Sequence, residues 1–279
     1  MKSILSIQSH VTYGYVGNKA AVYPLQAMGF DVWPINTVQF SNHTGYGKWQ
    51  GEIFSKQHIL NLVDGIFDIG QAHKCAAILT GYMGSREICE AVKEIVAKFK
   101  AINHNFLYLC DPVIGNNSCY VKPEVLDFFK NELSADMITP NQYEAETLSN
   151  IAVKTVEDLP KVAAYFHNLG VKIVIITGIK FANDPNLNIF ASDGLTQYIT
   201  STSEYHAKMP INGTGDLFSS TFLGIYLKNH DLALALQYAA FYLQAAVKAT
   251  VDSGERELQV LAVEYKDIEP KLMPKIINL

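Results

Sequence analysis

The stretch that decides the fold is Lys172-Ile-Val-Ile-Ile-Thr177, which is followed at once by Gly178. Its unbroken apolar run indicates a strand buried on both faces. The residues before it, 156–168, have apolar side chains at helical spacing, so a helix leads into this strand. A helix that directly precedes a buried strand is typical of an α/β protein with a parallel sheet.

The same alternation of short apolar runs and helical patterns covers the chain before this strand. Pro34 lies inside one predicted strand and indicates an edge position or a bulge there. Repeated strand–helix units predict a parallel sheet with helices on both faces. The predicted strands are residues 3–8, 31–39, 76–80, 106–110 and 137–139. The predicted helices are residues 18–28, 55–67, 86–101, 123–133, 141–148 and 156–168.

After the deciding strand the pattern changes. Residues 187–191 and 195–200 flank Ser192-Asp193-Gly194, which predicts a hairpin. Two long apolar helices follow, over residues 214–228 and 232–249. We therefore predict one domain over residues 1–279 in the α/β class. It has three αβα layers, a mostly parallel central sheet and an antiparallel hairpin at one edge.

Composition restricts the function classes. The chain has 279 residues, of which 49% are hydrophobic and 18% charged, so the composition excludes a mainly disordered protein. Its net charge of −5 argues against a nucleic-acid partner. The four cysteines form no C-x-x-C pair and predict reduced thiols. No signal peptide or membrane span is expected, which predicts a cytoplasmic protein without a membrane partner.

The segment that carries chemistry is Asn212-Gly-Thr-Gly-Asp-Leu-Phe218, at the start of a predicted helix. Its glycines let the backbone N–H groups approach a ligand, and the helix directs its positive end to the same place. Gly213, Thr214 and Gly215 would thus form an anion hole. Asp216 could take a proton from a hydroxyl that attacks phosphorus. The alternative is a plain loop in which Asp216 only caps the helix.

No P-loop and no G-x-G-x-x-G after the first strand is present, which argues against a P-loop ATPase and a dinucleotide oxidoreductase. Seven sequence blocks instead occur in the order of a known family. They are Ser6-Ile-Gln-Ser-His-Val11, Gly14-Tyr-Val-Gly-Asn18, Val38-Gln-Phe-Ser-Asn-His-Thr-Gly45, Leu79-Thr-Gly-Tyr82, Cys110-Asp-Pro-Val113, Ile138-Thr-Pro-Asn-Gln-Tyr-Glu144 and Gly213-Thr-Gly-Asp216. With these blocks the sequence resembles the pyridoxal kinases of the ribokinase-like superfamily.

The resemblance implies a ribokinase-like fold and ATP-dependent phosphorylation of the 5′-hydroxymethyl group of pyridoxal, with pyridoxine and pyridoxamine as further substrates. It also implies Mg²⁺, help from a monovalent cation such as K⁺, and a homodimer. On the vitamin side, Asp216 resembles the catalytic base and Ser9 the residue that hydrogen-bonds the pyridine ring. The remaining pocket residues implied by the resemblance are Val16, His43, Thr44, Gly45 and Tyr82, the last packed on the ring face.

On the nucleotide side, Asp111 and Glu144 match the acidic positions near the ATP phosphates and would reach Mg²⁺, partly through water. Thr139 and Asn141 match the segment between them. Thr177 matches a phosphate-contacting position that some relatives fill with lysine. Residues 204–207 are expected near the adenine.

Cys119 lies in a segment of lid-like composition, residues 115–120. We hypothesise that its thiol adds to the aldehyde of pyridoxal as a hemithioacetal, which would favour pyridoxal over pyridoxine. The alternative is an incidental loop cysteine.

Two other functions stay open at this point. One is a kinase for hydroxymethylpyrimidine or a sugar, although Val16, Phe40 and Tyr82 favour an aromatic ligand. The other is a carrier of pyridoxal or its phosphate without catalysis. The tail, residues 253–279, contains no motif that suggests a function.

Overall fold

The computed structural model describes residues 2–203, 210–266 and 273–279. Its strands form one ten-stranded sheet, and helices cover both faces. The strands are β1 (Ser3–Val11), β2 (Asp31–Phe40), β3 (Gly51–Ile53), β4 (Cys75–Thr80), β5 (Leu107–Cys110), β6 (Met137–Ile138), β7 (Ile173–Ile179), β8 (Asn186–Ser192), β9 (Gln197–Ser203) and β10 (Ile276–Asn278). The helices are α1 (Asn18–Ala27), α2 (Lys56–Asp68), α3 (Arg86–Ile102), α4 (Pro123–Asn131), α5 (Gln142–Ser149), α6 (Leu159–Asn168), α7 (Thr214–Asn229) and α8 (Leu232–Ser253).

The centre of the sheet is parallel, as predicted, in the order β2-β1-β4-β5-β6-β7. The chain leaves β1 for its neighbour β2 and later returns to the other side of β1 as β4. This reversal places a topological switch point at the carboxyl ends of β1 and β4, where open α/β sheets bind ligands.

Antiparallel strands border the parallel centre at both edges. The predicted hairpin, β8–β9, continues the sheet beyond β7, and the short strand β10 extends it further. At the other edge β3 pairs with the end of β2, over Val38–Phe40 only. Pro34 therefore has β1 on one side and no described strand on the other, which confirms its predicted edge position. β3 and β10, three residues each, were not predicted.

Two apolar cores separate the layers and confirm the predicted αβα arrangement. One core lies between the sheet and α2 to α6, and the other between the sheet and α1, α7 and α8. Along β1 the side chains alternate between them: Leu5 and Ile7 enter the first core, and Ile4 enters the second.

Local differences from the predicted elements concern the ends of strands and helices. β1 continues to Val11 and β7 to Ile179, beyond their predicted ends. The stretch predicted as one helix over 156–168 begins as a 3₁₀ turn before α6. In the described ranges, no helix is long and apolar enough to cross a lipid bilayer.

Candidate active site

The Gly-Thr-Gly-Asp segment forms the start of α7, as predicted. Gly213 caps the helix with φ of 84°, and a Cβ at this position would lie 1.9 Å from the Tyr15 carbonyl oxygen. Only glycine fits here, because both the dihedral angle and the contact exclude a side chain. Thr214 and Gly215 begin the first turn, whose N–H groups have no acceptor within the helix. The segment therefore presents main-chain donors beside the β1–α1 loop.

Asp216 accepts a hydrogen bond from the main chain. Its Oδ2 accepts a hydrogen bond of 2.8 Å from the Gly17 N–H at the start of α1. Gly17 has φ of 57°, and a Cβ there would lie 2.0 Å from the Ser9 carbonyl oxygen and 2.5 Å from Ser9 Oγ. Burial raises the pKa of Asp216 and the Gly17 hydrogen bond opposes this shift. Asp216 is thus a stronger proton acceptor than a free aspartate and lies near the predicted vitamin contacts Ser9 and Val16.

A buried polar network supports the first turn of α1. The Asn18 side chain accepts from Ser6 Oγ at 2.7 Å and donates to the Ile35 carbonyl oxygen and to Asn36 Oδ1. Asn18 is 1% exposed, so these bonds satisfy an amide that would be costly to bury unpaired. The network fixes the helix start from which the adjacent Gly17 N–H reaches Asp216.

The predicted pocket residues His43, Thr44 and Gly45 form a turn after β2. His43 Nδ1 accepts from the Gly45 N–H at 3.0 Å, and burial lowers the pKa of His43, which favours the neutral ring that this bond requires. Tyr82, beyond the end of β4, is half-buried, and its carbonyl oxygen accepts from the Thr37 hydroxyl. These residues frame the switch point from two sides.

Two buried carboxylates, Asp111 and Glu144, lie beyond the carboxyl ends of β5 and β6. Asp111 is 5% exposed, and its Oδ2 accepts from Ser219 Oγ at 3.2 Å. Ser219 in turn lies 2.9 Å from Thr139 Oγ1, so the predicted nucleotide residue Thr139 joins this group. Burial, followed by the charges of Glu144 and Asp216, holds the pKa of Asp111 well above its usual value.

Glu144 connects α5 to the loop after β5. Its Oε1 accepts from the N–H groups of Ile114 and Gly115, and its Oε2 accepts from the Asn141 N–H in a capping box. Burial raises the pKa of Glu144 to about 7, the three N–H donors oppose this shift, and the charge of Asp216 adds to it. Glu144 therefore anchors the loop while it repels its acidic neighbours.

The other nucleotide-side predictions lie beside this carboxylate group. Asn141 Nδ2 donates to the Gly115 carbonyl oxygen at 2.8 Å. The Asn141 main chain also pairs with Thr177 as in a parallel sheet. Thr177 lies within β7, which continues past the predicted end to Ile179. The expected adenine contacts, residues 204–207, fall outside the described residues.

The segment 115–120 forms a small loop next to Glu144. Gly115 and Cys119 form a bridge, and the exposed Cys119 thiol donates to the Val121 carbonyl oxygen at 3.7 Å. Tyr120 follows, and its pKa is raised by desolvation and then by the charges of Glu144, Asp111 and Asp216.

Comparison with known proteins agrees with this geometry. The sequence model of the phosphomethylpyrimidine kinase family matches residues 52–260. Pyridoxal kinase PdxY of Vibrio vulnificus is 40% identical over 276 residues, which cover 97% of this chain and 95% of the relative. PdxY of Pseudomonas syringae pv. syringae is 36% identical and covers 99% of this chain and 98% of its own.

Solved structures give the same result. Pyridoxal kinase from Leishmania donovani in complex with ADP and pyridoxamine superposes with a TM-score of 0.90 at 32% identity, with 100% of both chains covered. This chain belongs to the pyridoxal kinase family. The resemblance inferred from the seven sequence blocks is thereby confirmed, as is the α/β fold. A phosphomethylpyrimidine kinase homologue from Bacteroides thetaiotaomicron, 23% identical with a TM-score of 0.88, supports the fold alone.

The sequence patterns did not indicate one group of contacts at the site of this pyridoxal kinase family member. Glu257 accepts hydrogen bonds from the Tyr15 N–H and the Tyr46 hydroxyl, and Arg256 donates to the Gly45 carbonyl oxygen. Both belong to the tail in which no motif was found. Their partners lie 211 to 242 positions earlier in the chain, so no local pattern could have indicated them.

Proposed function

We propose that this protein transfers the γ-phosphoryl group of ATP to the 5′-hydroxyl of pyridoxal, giving pyridoxal 5′-phosphate and ADP. The observation that carries the proposal is the position of Asp216. Its carboxylate accepts a hydrogen bond from Gly17, which adjoins Val16 and packs on Ser9, and its charge raises the pKa of the buried carboxylate Asp111. Relatives solved with ADP together with pyridoxamine or pyridoxine support the pairing of these two ligands.

Asp216 acts as the general base. It accepts the proton of the 5′-hydroxyl while that oxygen forms a bond to the γ-phosphorus, and the bond from phosphorus to the β–γ bridging oxygen breaks. ADP carries away the electron pair of the broken bond. Such base catalysis contributes roughly 10²–10⁴-fold to the rate. The raised pKa of Asp216 suits this role.

Main-chain donors at the start of α7 stabilise the charge on the transferring group. The N–H groups at Gly213, Thr214 and Gly215 form the proposed anion hole, and the helix end adds its positive potential. Donors fixed in this way need no reorganisation during the reaction. Ser9, Val16, His43, Thr44, Gly45 and Tyr82 bind the vitamin in this proposal.

The carboxylate group fits Mg²⁺. Burial raises the pKa of both Asp111 and Glu144, and the charge of Glu144 adds to the shift at Asp111, so a hard divalent cation bound by oxygen would relieve this crowding of negative charge. Asp111 would hold the ion, and Glu144 would reach it through water because its oxygens already accept three N–H groups. When bound, the ion neutralises charge on the phosphates. Thr139, Asn141 and Thr177 complete the nucleotide side, and K⁺ enters on the resemblance alone.

Four further proposals concern the chain as a whole and its loop. Residues 1–279 act as one kinase domain, supported by the continuous ten-stranded sheet. The protein is a homodimer, supported by the exposed apolar side chains Trp49 and Ile53 at the β3 edge. It works in the cytoplasm, in keeping with four unpaired cysteines.

Cys119 adds its sulfur to the pyridoxal aldehyde carbon while a proton passes to the carbonyl oxygen.

A substrate panel tests the function. Release of ADP is followed by a coupled assay with Mg²⁺, ATP and, separately, pyridoxal, pyridoxine, pyridoxamine and hydroxymethylpyrimidine. We expect pyridoxal to have the highest kcat/KM. If hydroxymethylpyrimidine alone supports ADP release, the alternative kinase function is correct and the proposal is wrong.

A further inference from the structure

Two polar residues of the tail join two separate parts of the vitamin pocket. The first part is the β1–α1 loop, Gly14 to Gly17, which includes Val16 and supplies the N–H that holds Asp216. The second is the turn from His43 to Tyr46. Glu257 contacts both parts and Arg256 contacts the second, although neither takes part in the proposed chemistry.

Glu257 makes the connection between the two parts. Its carboxylate is buried, with 8% of the residue exposed, and accepts from the Tyr15 N–H at 3.1 Å and from the Tyr46 hydroxyl at 2.5 Å. A Cβ on Gly14 would lie 2.1 Å from Glu257 Oε2, so the loop packs directly on this carboxylate. A buried carboxylate is costly unless it is hydrogen-bonded. Because both the Tyr15 N–H and the Tyr46 hydroxyl bond to this carboxylate, it fixes the position of the loop relative to the turn.

Arg256 holds the turn from its outer side. Its guanidinium carbon lies 3.6 Å from the centre of the Tyr46 ring, and its Nη2 donates to the Gly45 carbonyl oxygen at 2.8 Å. A guanidinium over an aromatic face is attracted by the ring and leaves its edge free to donate hydrogen bonds. Burial, and then the Glu257 hydrogen bond, raise the pKa of Tyr46 to about 12, so the phenol remains a donor.

We propose that Arg256 and Glu257 are positioning residues that set the distance between the β1–α1 loop and the His43–Tyr46 turn, and thereby the fit of the pocket to an aromatic vitamin. This inference rests on the proposed function, since it assigns the pocket to that substrate. Within the described ranges, the pair makes no hydrogen bond to a predicted nucleotide residue. Its loss should therefore weaken vitamin binding and leave ATP binding unchanged.

The test compares Glu257→Ala, Glu257→Gln and Tyr46→Phe with Glu255→Ala, an exposed carboxylate two residues away. We expect the KM for pyridoxal to rise about tenfold in Glu257→Ala and Tyr46→Phe, the effect of losing one hydrogen bond to a charged group. The KM for ATP should stay within twofold. Glu257→Gln, which keeps an acceptor oxygen, should recover most of the loss, and Glu255→Ala should match the wild type.

Thermal unfolding of each variant separates positioning from folding. If Glu257→Ala does not fold, Tyr46→Phe, which removes only the hydroxyl, decides the question. An unchanged KM for pyridoxal in a folded variant, or equal changes for both substrates, would overturn the proposal. Failure of the proposed function is distinguishable, because it is visible in the wild-type panel. The variants are compared on whichever alcohol the wild type phosphorylates.

Discussion

The proposed vitamin side and the proposed nucleotide side of the site are built in different ways. On the vitamin side, glycines and main-chain groups from distant segments approach closely, as Gly213 does on Tyr15 and Gly17 does on Ser9. On the nucleotide side, burial raises the pKa of Asp111 and Glu144, and nearby negative charges add to both shifts. The first side depends on steric fit and the second on charge. Substitutions on the two sides should therefore change different measured quantities: kcat on the first side and the pH dependence of stability on the second.

The largest effect is expected where the two sides meet, at Asp216. Asp216→Asn keeps the size and a hydrogen-bonding oxygen but removes the base, so turnover with pyridoxal should fall at least about 10²-fold. Binding of pyridoxal, followed by its absorbance, should persist. Asp252→Asn, an exposed carboxylate on α8, serves as the control with unchanged turnover. Turnover of Asp216→Asn within threefold of the wild type would indicate a carrier or a different base.

Steric fit on the vitamin side is tested by Gly213→Ala. The added methyl would lie 1.9 Å from the Tyr15 carbonyl oxygen, so the loop or the helix start must shift. We expect kcat to fall roughly 10- to 100-fold, since a small misplacement of reacting groups is costly. The matched control is Gly29→Ala, which has a similar φ of 89° with no atom within 4 Å of the methyl. It should lose about 1–2 kcal/mol of stability and keep its kcat. Equal kcat values in the two variants would contradict this account.

Charge on the nucleotide side is tested by the pH dependence of stability. The pKa of Glu144 is about 7 in the folded protein, above its ordinary value of 4.5, so the folded state binds more protons between these values. Stability from this group is complete below about pH 4.5 and is lost as the pH rises through 7. Relative to Glu144→Gln, the wild type should therefore lose about 1–3 kcal/mol of unfolding free energy over that range.

Chemical denaturation at several pH values measures this difference, and Glu124→Gln, an exposed residue of α4, is the control. Mg²⁺ should reduce the loss in the wild type. If the difference in unfolding free energy between the wild type and Glu144→Gln does not vary with pH, the pKa of Glu144 is not raised in the folded protein.

The smallest effect is expected at Cys119. If its thiol adds to the aldehyde, Cys119→Ala and Cys119→Ser should lower kcat/KM for pyridoxal relative to pyridoxine by about 3- to 10-fold, equivalent to ~1 kcal/mol. Pyridoxine has no aldehyde and should be unaffected. Ser118→Ala is the neighbouring control. Equal losses on both substrates would remove the hypothesis.

Most of the fold could be predicted because its strands are short apolar runs and its helices have periodic apolar faces. Asp111 and Thr139 follow strands, and they were predicted to lie at the site because parallel strands end at one edge of the sheet. Ser9 was predicted on the same ground but lies within β1, which is longer than expected. The strands β3 and β10 were missed, since three residues carry no periodicity. Arg256 and Glu257 were missed for another reason: the residues that they contact lie more than 200 positions away in the chain.

The contact between Glu257 and Tyr46 also bears on synthesis at the ribosome. Residues 3–40, which form β1, α1 and β2, can associate as soon as they emerge. The Tyr46 hydroxyl of the turn that follows them cannot donate its hydrogen bond until Glu257, 211 positions later, has been translated. During most of translation the nascent chain therefore lacks a residue that completes the proposed vitamin pocket.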